Sequence, residues 1–247
     1  MTPEIPFKRN VVEPVQCIKN GWALIKDQYW LFLGLSLVAI LIGQAVPFGI
    51  LLGPMMSGLY LTFLKRRRGE PIEFAMLFKG FDFFGPSLIA TLLHVVPIMM
   101  IIIPMYILLY ISLFASLMAM GNDPSLAPAL GVFGIYIMFI IIVIVVITLI
   151  SIGFMFSYPL IVDRKLQGLD AVKLSFKGAM ANFWRLVGLS LLISLLSLAG
   201  IAFCIIGMYL VLPVVYASVA SAYEQVFGLA NPNENLANLP PPPPVFN

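Results

Sequence analysis

Charge vanishes from long stretches of this chain. Residues 31–64, 83–122 (Phe83 to Asn122) and 124–162 carry none of the Asp, Glu, Lys or Arg side chains. A bilayer crossing needs about 20 consecutive apolar residues, so this pattern predicts membrane helices. The boundaries fall at Tyr29 to Ala45, Gly49 to Leu64, Gly85 to Met120, Ala129 to Val162, Phe183 to Phe203 and Ile205 to Tyr223. The expected fold class is all-α, a polytopic transmembrane bundle of about six spans.

Two of these runs are long. Read as single helices, Gly85 to Met120 measures about 54 Å and Ala129 to Val162 about 51 Å, against a hydrocarbon core of about 30 Å. Neither contains a polar turn, so two spans rather than four are expected. Pro97 and Pro104 lie seven residues apart, two turns along one face, and predict a bend in the third span. Tilt and kinking accommodate the excess. The alternative is an apolar hairpin around GNDPSLAP rising beyond the outer leaflet, where it needs a partner.

Three shorter segments precede the hairpins with a different pattern. Val15, Ile18, Trp22 and Ile25 follow helical spacing, with Lys19 and Lys26 off that line. Phe74, Leu77, Phe78 and Phe81 follow i, i+3, i+4, i+7, and Leu169, Val172 and Phe176 are apolar while Asp170, Lys173 and Lys177 face elsewhere. Each reads as an interfacial helix with its apolar face in the headgroup boundary. The segment from Val15 aligns without gaps with that from Leu169, matching Lys19 to Lys173, Trp30 to Trp184, Gly34 to Gly188 and Ser36 to Ser190. A weaker copy begins at Pro71 and shares Phe78-Lys79-Gly80 with Phe176-Lys177-Gly178. Three parallel repeats are expected, each an interfacial helix feeding a transmembrane hairpin. Aromatics at Tyr29, Trp30, Phe83, Phe84, Phe183 and Trp184 stand where a membrane belt belongs.

The charges then set an orientation. With the N-terminus in the cytoplasm, all 14 Lys and Arg residues fall on that side and only Asp123 on the other, as short cytoplasmic loops require. A bacterial inner membrane with both termini cytoplasmic is the expected location. Residues 1–28 form a cytoplasmic N-terminal segment with its interfacial helix, 29–228 the six-span domain and 229–247 a disordered Pro-rich tail. That tail holds Pro240 to Pro244, a polyproline II signature. The first apolar run starts too late for a cleaved secretory signal, so the N-terminus is expected to stay.

Composition removes most chemistry. The chain is 61% hydrophobic and 10% charged, with a mean hydropathy of +1.04, far from the roughly 25% charge of soluble domains. One histidine excludes an HExxH zinc site, and the glycines near Gly53 and Gly58 lack a P-loop lysine. No serine has a nearby base. Cys17 and Cys204 read as free thiols rather than a disulfide. No enzyme activity, cofactor, metal or nucleic acid is expected. The partner is the phospholipid membrane, with a membrane-protein partner or a homo-oligomer as further options.

Two groups remain. Lys65, Arg66, Arg67 and Arg68, with Lys173, Lys177 and Arg185, can form a basic collar that contacts anionic lipid headgroups. Each such charge is worth about 1 kcal/mol near an anionic leaflet. The orientation rule alone also explains the run. His94, near the middle of the third span, is an intramembrane polar site, read as a neutral imidazole bonded to Ser87, Thr91 or a neighbouring helix. Gly49, Gly53, Ser57 and Gly58 read as close-packing steps between helices.

The stretches LLGPMMSGLYLTFLKRRRGEPIEFAMLFKGF, YPLIVDRKLQGLDAVKLSFKGAMANFWRLVGL and CIIGMYLVLPVVYASVASAYEQVFG resemble an uncharacterised bacterial family of six-span membrane proteins. They are also similar to the membrane domain attached to some glycerophosphodiester phosphodiesterases. The resemblance covers Val15 to Gly228 and implies fold and location. The soluble phosphodiesterase domain of those fusions has no counterpart here, so that activity is not implied. The expected role is non-enzymatic, organising lipid or serving as an accessory subunit of a membrane complex. The alternative is a transporter or channel for a small solute, built on Pro-kinked spans around His94. A polar cavity reaching His94 would favour transport, and a closely packed bundle the first role.

Overall fold

The computed structural model describes residues 5–46, 49–120, 127–202 and 205–230. The described residues are helical, without strands. The α-helices are α1 (Pro14–Ile25), α2 (Tyr29–Ala45), α3 (Leu52–Arg67), α4 (Phe84–Met120), α5 (Ala127–Phe154), α6 (Ser157–Arg164), α7 (Gly168–Ala181), α8 (Phe183–Ala202) and α9 (Ile205–Phe227). A 3-10 segment, Phe74–Phe83, precedes α4. The Pro-rich tail, Asp123 and Cys204 lie outside the described residues.

Five stretches among the described residues are long and apolar enough to cross a membrane: Pro14–Ala45, Phe74–Met118, Phe133–Arg164, Phe183–Ile201 and Gly207–Phe227. The expected second span, α3, is not one of them. It has 16 residues, about 24 Å of helix, and ends in the basic run. It is nevertheless buried from Gly53 to Tyr60 without interruption, because other helices rather than lipid surround it.

Glycines set how closely α3 is wrapped. A Cβ on Gly58 would collide with the Leu77 carbonyl, and one on Gly80 with the Pro54 carbonyl. The two backbones therefore run in direct contact, as small residues permit in membrane bundles. This explains why Phe74–Phe83 is a 3-10 helix rather than the expected α-helical turns. In a 3-10 helix residues i and i+3 eclipse, which lines Leu77 and Gly80 up against α3. Phe74, Phe78 and Phe81 are left exposed.

The other two leading segments also pack on a hairpin that is not their own. The buried line on α1 is Cys17, Gly21 and Ile25, turned onto α9. The Gly21 Cα lies so close to Ser218 and Ala217 that a Cβ would sit 2.8 Å from the Ser218 nitrogen. Val15 and Trp22 are exposed, whereas Ile25, expected with them on the face turned to the headgroup boundary, is buried in the bundle. Helix α7 packs on α4 and α5. At its end Asn182 is fully buried, donating to the Lys8 and Gly178 carbonyls (2.9 and 3.0 Å) and accepting from the Val11 N–H (3.0 Å).

The two long runs behave differently. Helix α4 continues through Pro97 and Pro104 for 37 residues, about 55 Å. The fourth expected span breaks at Met155–Phe156 into α5 and α6, just before Pro159, whose missing N–H cannot bond back to residue 155. Ser175 of α7 repairs the break. Its hydroxyl donates to the Gly153 carbonyl at 2.7 Å and accepts the Phe156 N–H at 3.1 Å, the kind of re-satisfaction that a broken membrane helix requires.

Candidate functional site

Each of the three returning helices, α3, α6 and α9, brings charge to its C-terminal end. At that end the basic run after Leu64 meets acids from elsewhere in the chain. Lys65 Nζ lies 3.2 Å from Glu70, and Arg66 lies 3.7 Å from Asp27 and bonds the Leu24 carbonyl at 3.4 Å. Arg67 pairs with Glu224 of α9, and Arg68 with Asp163 of α6. The Asp163 side chain is wholly buried. Besides Arg68 it accepts the Tyr223 hydroxyl at 2.7 Å and the Ala230 N–H at 3.0 Å, with Arg164 at 3.7 Å. Arg164 also donates to the Phe227 carbonyl at 3.1 Å. A buried carboxylate is tolerable only with its lone pairs occupied in this way. Asp163 thus ties α3, α6, α9 and the segment beyond α9 to one point.

Below this cluster the same three helices meet through aromatic rings. Tyr60 stacks on Tyr158 with centroids 6.5 Å apart and meets Tyr216 edge-on at 6.1 Å. The Tyr158 hydroxyl lies 3.0 Å from Thr91 Oγ1, which donates to the Ser87 carbonyl. Such ring pairs add to area burial, so the bundle centre is closely packed. The Oγ atoms of Ser57 and Ser157 are buried there without a hydrogen-bond partner among the described residues.

The seven sequence candidates for headgroup contact therefore divide. Lys65, Arg66, Arg67 and Arg68 are partly buried and each engages an acid of the chain. Lys173, Lys177 and Arg185 are exposed. They stand among exposed apolar side chains, Leu169, Phe176 and Met180 on α7 and Trp184, which is 81% exposed, at the start of α8. Lys19 and Lys26 beside Trp22, and Lys79 beside Phe78 and Phe81, are exposed in the same manner. A face of lysines interleaved with large apolar side chains is what a bilayer boundary accepts, stems and rings in the apolar layer and ammonium groups at phosphate level.

His94 sits on α4 with Nε2 3.4 Å from Ser151 Oγ of α5, a long hydrogen bond. Its ring stacks on Phe154 with centroids 4.7 Å apart. Ser87 and Thr91, the same-helix partners expected for it, bond to backbone carbonyls. The neighbouring-helix option is the one found. Cys17 is buried and free. No group of three metal-capable side chains occurs among the described residues.

Sequence reasoning overlooked Asp163, Glu224 and the three tyrosines. Asp163 and Glu224 each stand one residue past the end of a predicted span, the one available signal. The pairing itself joins residues 95 and 157 positions apart, which no local pattern encodes.

A family model described as a protein of unknown function (DUF975) matches residues 21–228, and the chain belongs to that family. Searches of curated proteins and of solved structures return no match.

Proposed function

We propose that this membrane protein is non-enzymatic, lies in a bacterial inner membrane with both termini cytoplasmic, and holds anionic lipid headgroups on its cytoplasmic rim, either organising lipid or supporting a partner complex. The observation that carries this reading is the exposed face of α7 and the α8 start. There Lys173, Lys177 and Arg185 have no acidic partner among the described residues and lie beside Phe176, Met180 and Trp184. Lys65 to Arg68 serve the bundle instead, through Asp27, Glu70, Asp163 and Glu224. The way α1, the Phe74–Phe83 segment and α7 each pack on another hairpin supports a three-unit repeat that displays such faces around the rim.

Lipid co-purifying with the full chain should be richer in phosphatidylglycerol and cardiolipin than the membrane it came from. A retained pool matching bulk composition contradicts the reading. The orientation has its own check. With Cys17 and Cys204 replaced by alanine, a cysteine introduced at Asn122 should react with an impermeant thiol reagent on intact cells. One at Gly69 should not, and equal labelling of both rejects the topology.

The transport reading has the unpartnered hydroxyls of Ser57 and Ser157 in its favour. Against it, the grooves of the outer hairpin are not lined by His94, and its ring is covered by Phe154.

A further inference from the structure

Helices α4 and α5 do not close on each other along their outer part. A groove of about 720 Å³ separates them, with Leu109, Leu113 and Ser116 on one wall and Tyr136 and Phe139 on the other. A second groove of about 360 Å³ continues it toward Ile102 and Ile147 and shares Leu109, Tyr136 and Phe139. Together they run from residue 102 to 117 on α4, about 22 Å along the helix. The slot is therefore long and narrow rather than round.

Its chemistry is that of hydrocarbon. Its hydroxyls are those of Tyr106, Ser112 and Ser116 on α4 and Tyr136 on α5, and that of Ser112 is already bonded to the Leu109 carbonyl at 2.8 Å. The slot is open along its sides, where its own lining residues Leu108, Leu117, Phe133 and Ile135 are exposed, so a lipid chain can enter it from the apolar exterior of the spans. An empty gap of this size forfeits dispersion contacts on both walls. Water placed in it finds too few polar partners. An apolar, linear occupant drawn from the bilayer fits such a slot, and it is present at every copy of the chain without a partner.

We propose that the α4–α5 slot binds one acyl chain of a membrane lipid, gripped from two sides, where an ordinary boundary lipid touches one. The site rests on the membrane reading of the hairpin and is independent of the basic rim. Acyl length and headgroup at the slot are left to the bilayer. The selectivity lies in holding a chain at this place.

The test uses the full chain in phosphatidylethanolamine–phosphatidylglycerol vesicles containing a trace of phospholipid with a diazirine in its acyl chain. After irradiation, label should concentrate on Leu109, Leu113, Tyr136 and Phe139, above the lipid-facing Leu191, Leu195 and Leu198 of α8. Filling the slot with Leu109→Phe and Ser112→Leu should lower slot labelling severalfold, to the level of α8, because the added side chains occupy the volume and the wall contacts that the chain would take, with α8 labelling unchanged. Leu195→Phe should leave the slot labelling as it was. Equal labelling of slot and α8 in the unaltered protein overturns the proposal, without need of any variant. So does undiminished slot labelling in the filled form. Neither result alters retention of anionic headgroups at the rim, so the two ideas fail separately.

Discussion

The base of this bundle and the outer part of its α4–α5 hairpin, the more apolar of the two, are held in opposite ways. In the base, α3 lies in backbone contact with its neighbours at Gly58 and Gly80. Three tyrosines join the returning helices, and two arginines lock them to Asp163 and Glu224. Among the described residues the outer hairpin has none of this. A Cβ added at Gly49, in the α2–α3 tip, would lie 3.8 Å from the Thr91 methyl, and α4 continues from Thr91 to Met120, 29 residues or about 43 Å farther. Its large side chains there, among them Tyr106, Tyr110, Phe114 and Leu117, are mostly exposed. Apolar helices alone associate weakly where the solvent is itself apolar. Fixed geometry in such a bundle comes from small residues and satisfied polar groups, and the two regions differ in having them.

The strongest way to break that comparison is to remove the anchor of the base. Asp163→Ala leaves Arg68, the Tyr223 hydroxyl and the Ala230 N–H without their acceptor, and should cost about 3 kcal/mol or more. Thermal unfolding in detergent should show a large drop in midpoint. Phe114→Ala on the exposed hairpin should leave it nearly unchanged. Similar shifts for the two variants would mean that the hairpin, too, is held by specific packing.

Glycine substitutions sharpen the same contrast with opposite signs. Gly58→Ala must displace the Leu77 carbonyl, which should cost about 1–3 kcal/mol. Gly134 of α5 has nothing within 4 Å of the position of an added Cβ, and Gly134→Ala should stabilise by up to about 1 kcal/mol through helix propensity. A destabilising Gly134→Ala would reveal a neighbour packed against α5.

Much of this was written in the chain. The apolar runs place α2, α4, α8 and α9 to within a few residues, because a bilayer crossing demands length and hydrophobicity in one unbroken stretch. The break at Met155–Phe156 was not legible, since it depends on Ser175 arriving from α7. Nor was the 3-10 form of Phe74–Phe83, whose aromatic spacing fits an α-helix and which the backbone contact with α3 overrules. The exposed Leu169 and Phe176 of α7 were readable from their spacing, but Val172, expected beside them, is buried, and the lysines expected on another face stand among them. The fate of Lys65 to Arg68 was not readable, because a run of basic residues looks alike whether it faces phosphate or acids brought from distant helices.

That last distinction carries the functional proposal, and one measurement tests it most directly. Native mass spectrometry of retained phospholipid should be run on the unaltered protein and two triple variants. One carries Lys173→Gln, Lys177→Gln and Arg185→Gln, the other Arg66→Gln, Arg67→Gln and Arg68→Gln. With about 1 kcal/mol for each exposed charge near an anionic leaflet, the first variant should lose most of its phosphatidylglycerol and cardiolipin and keep its fold. The second should unfold more easily yet keep its preference for anionic lipid. Retention that survives the first variant and disappears in a folded second one would contradict the account.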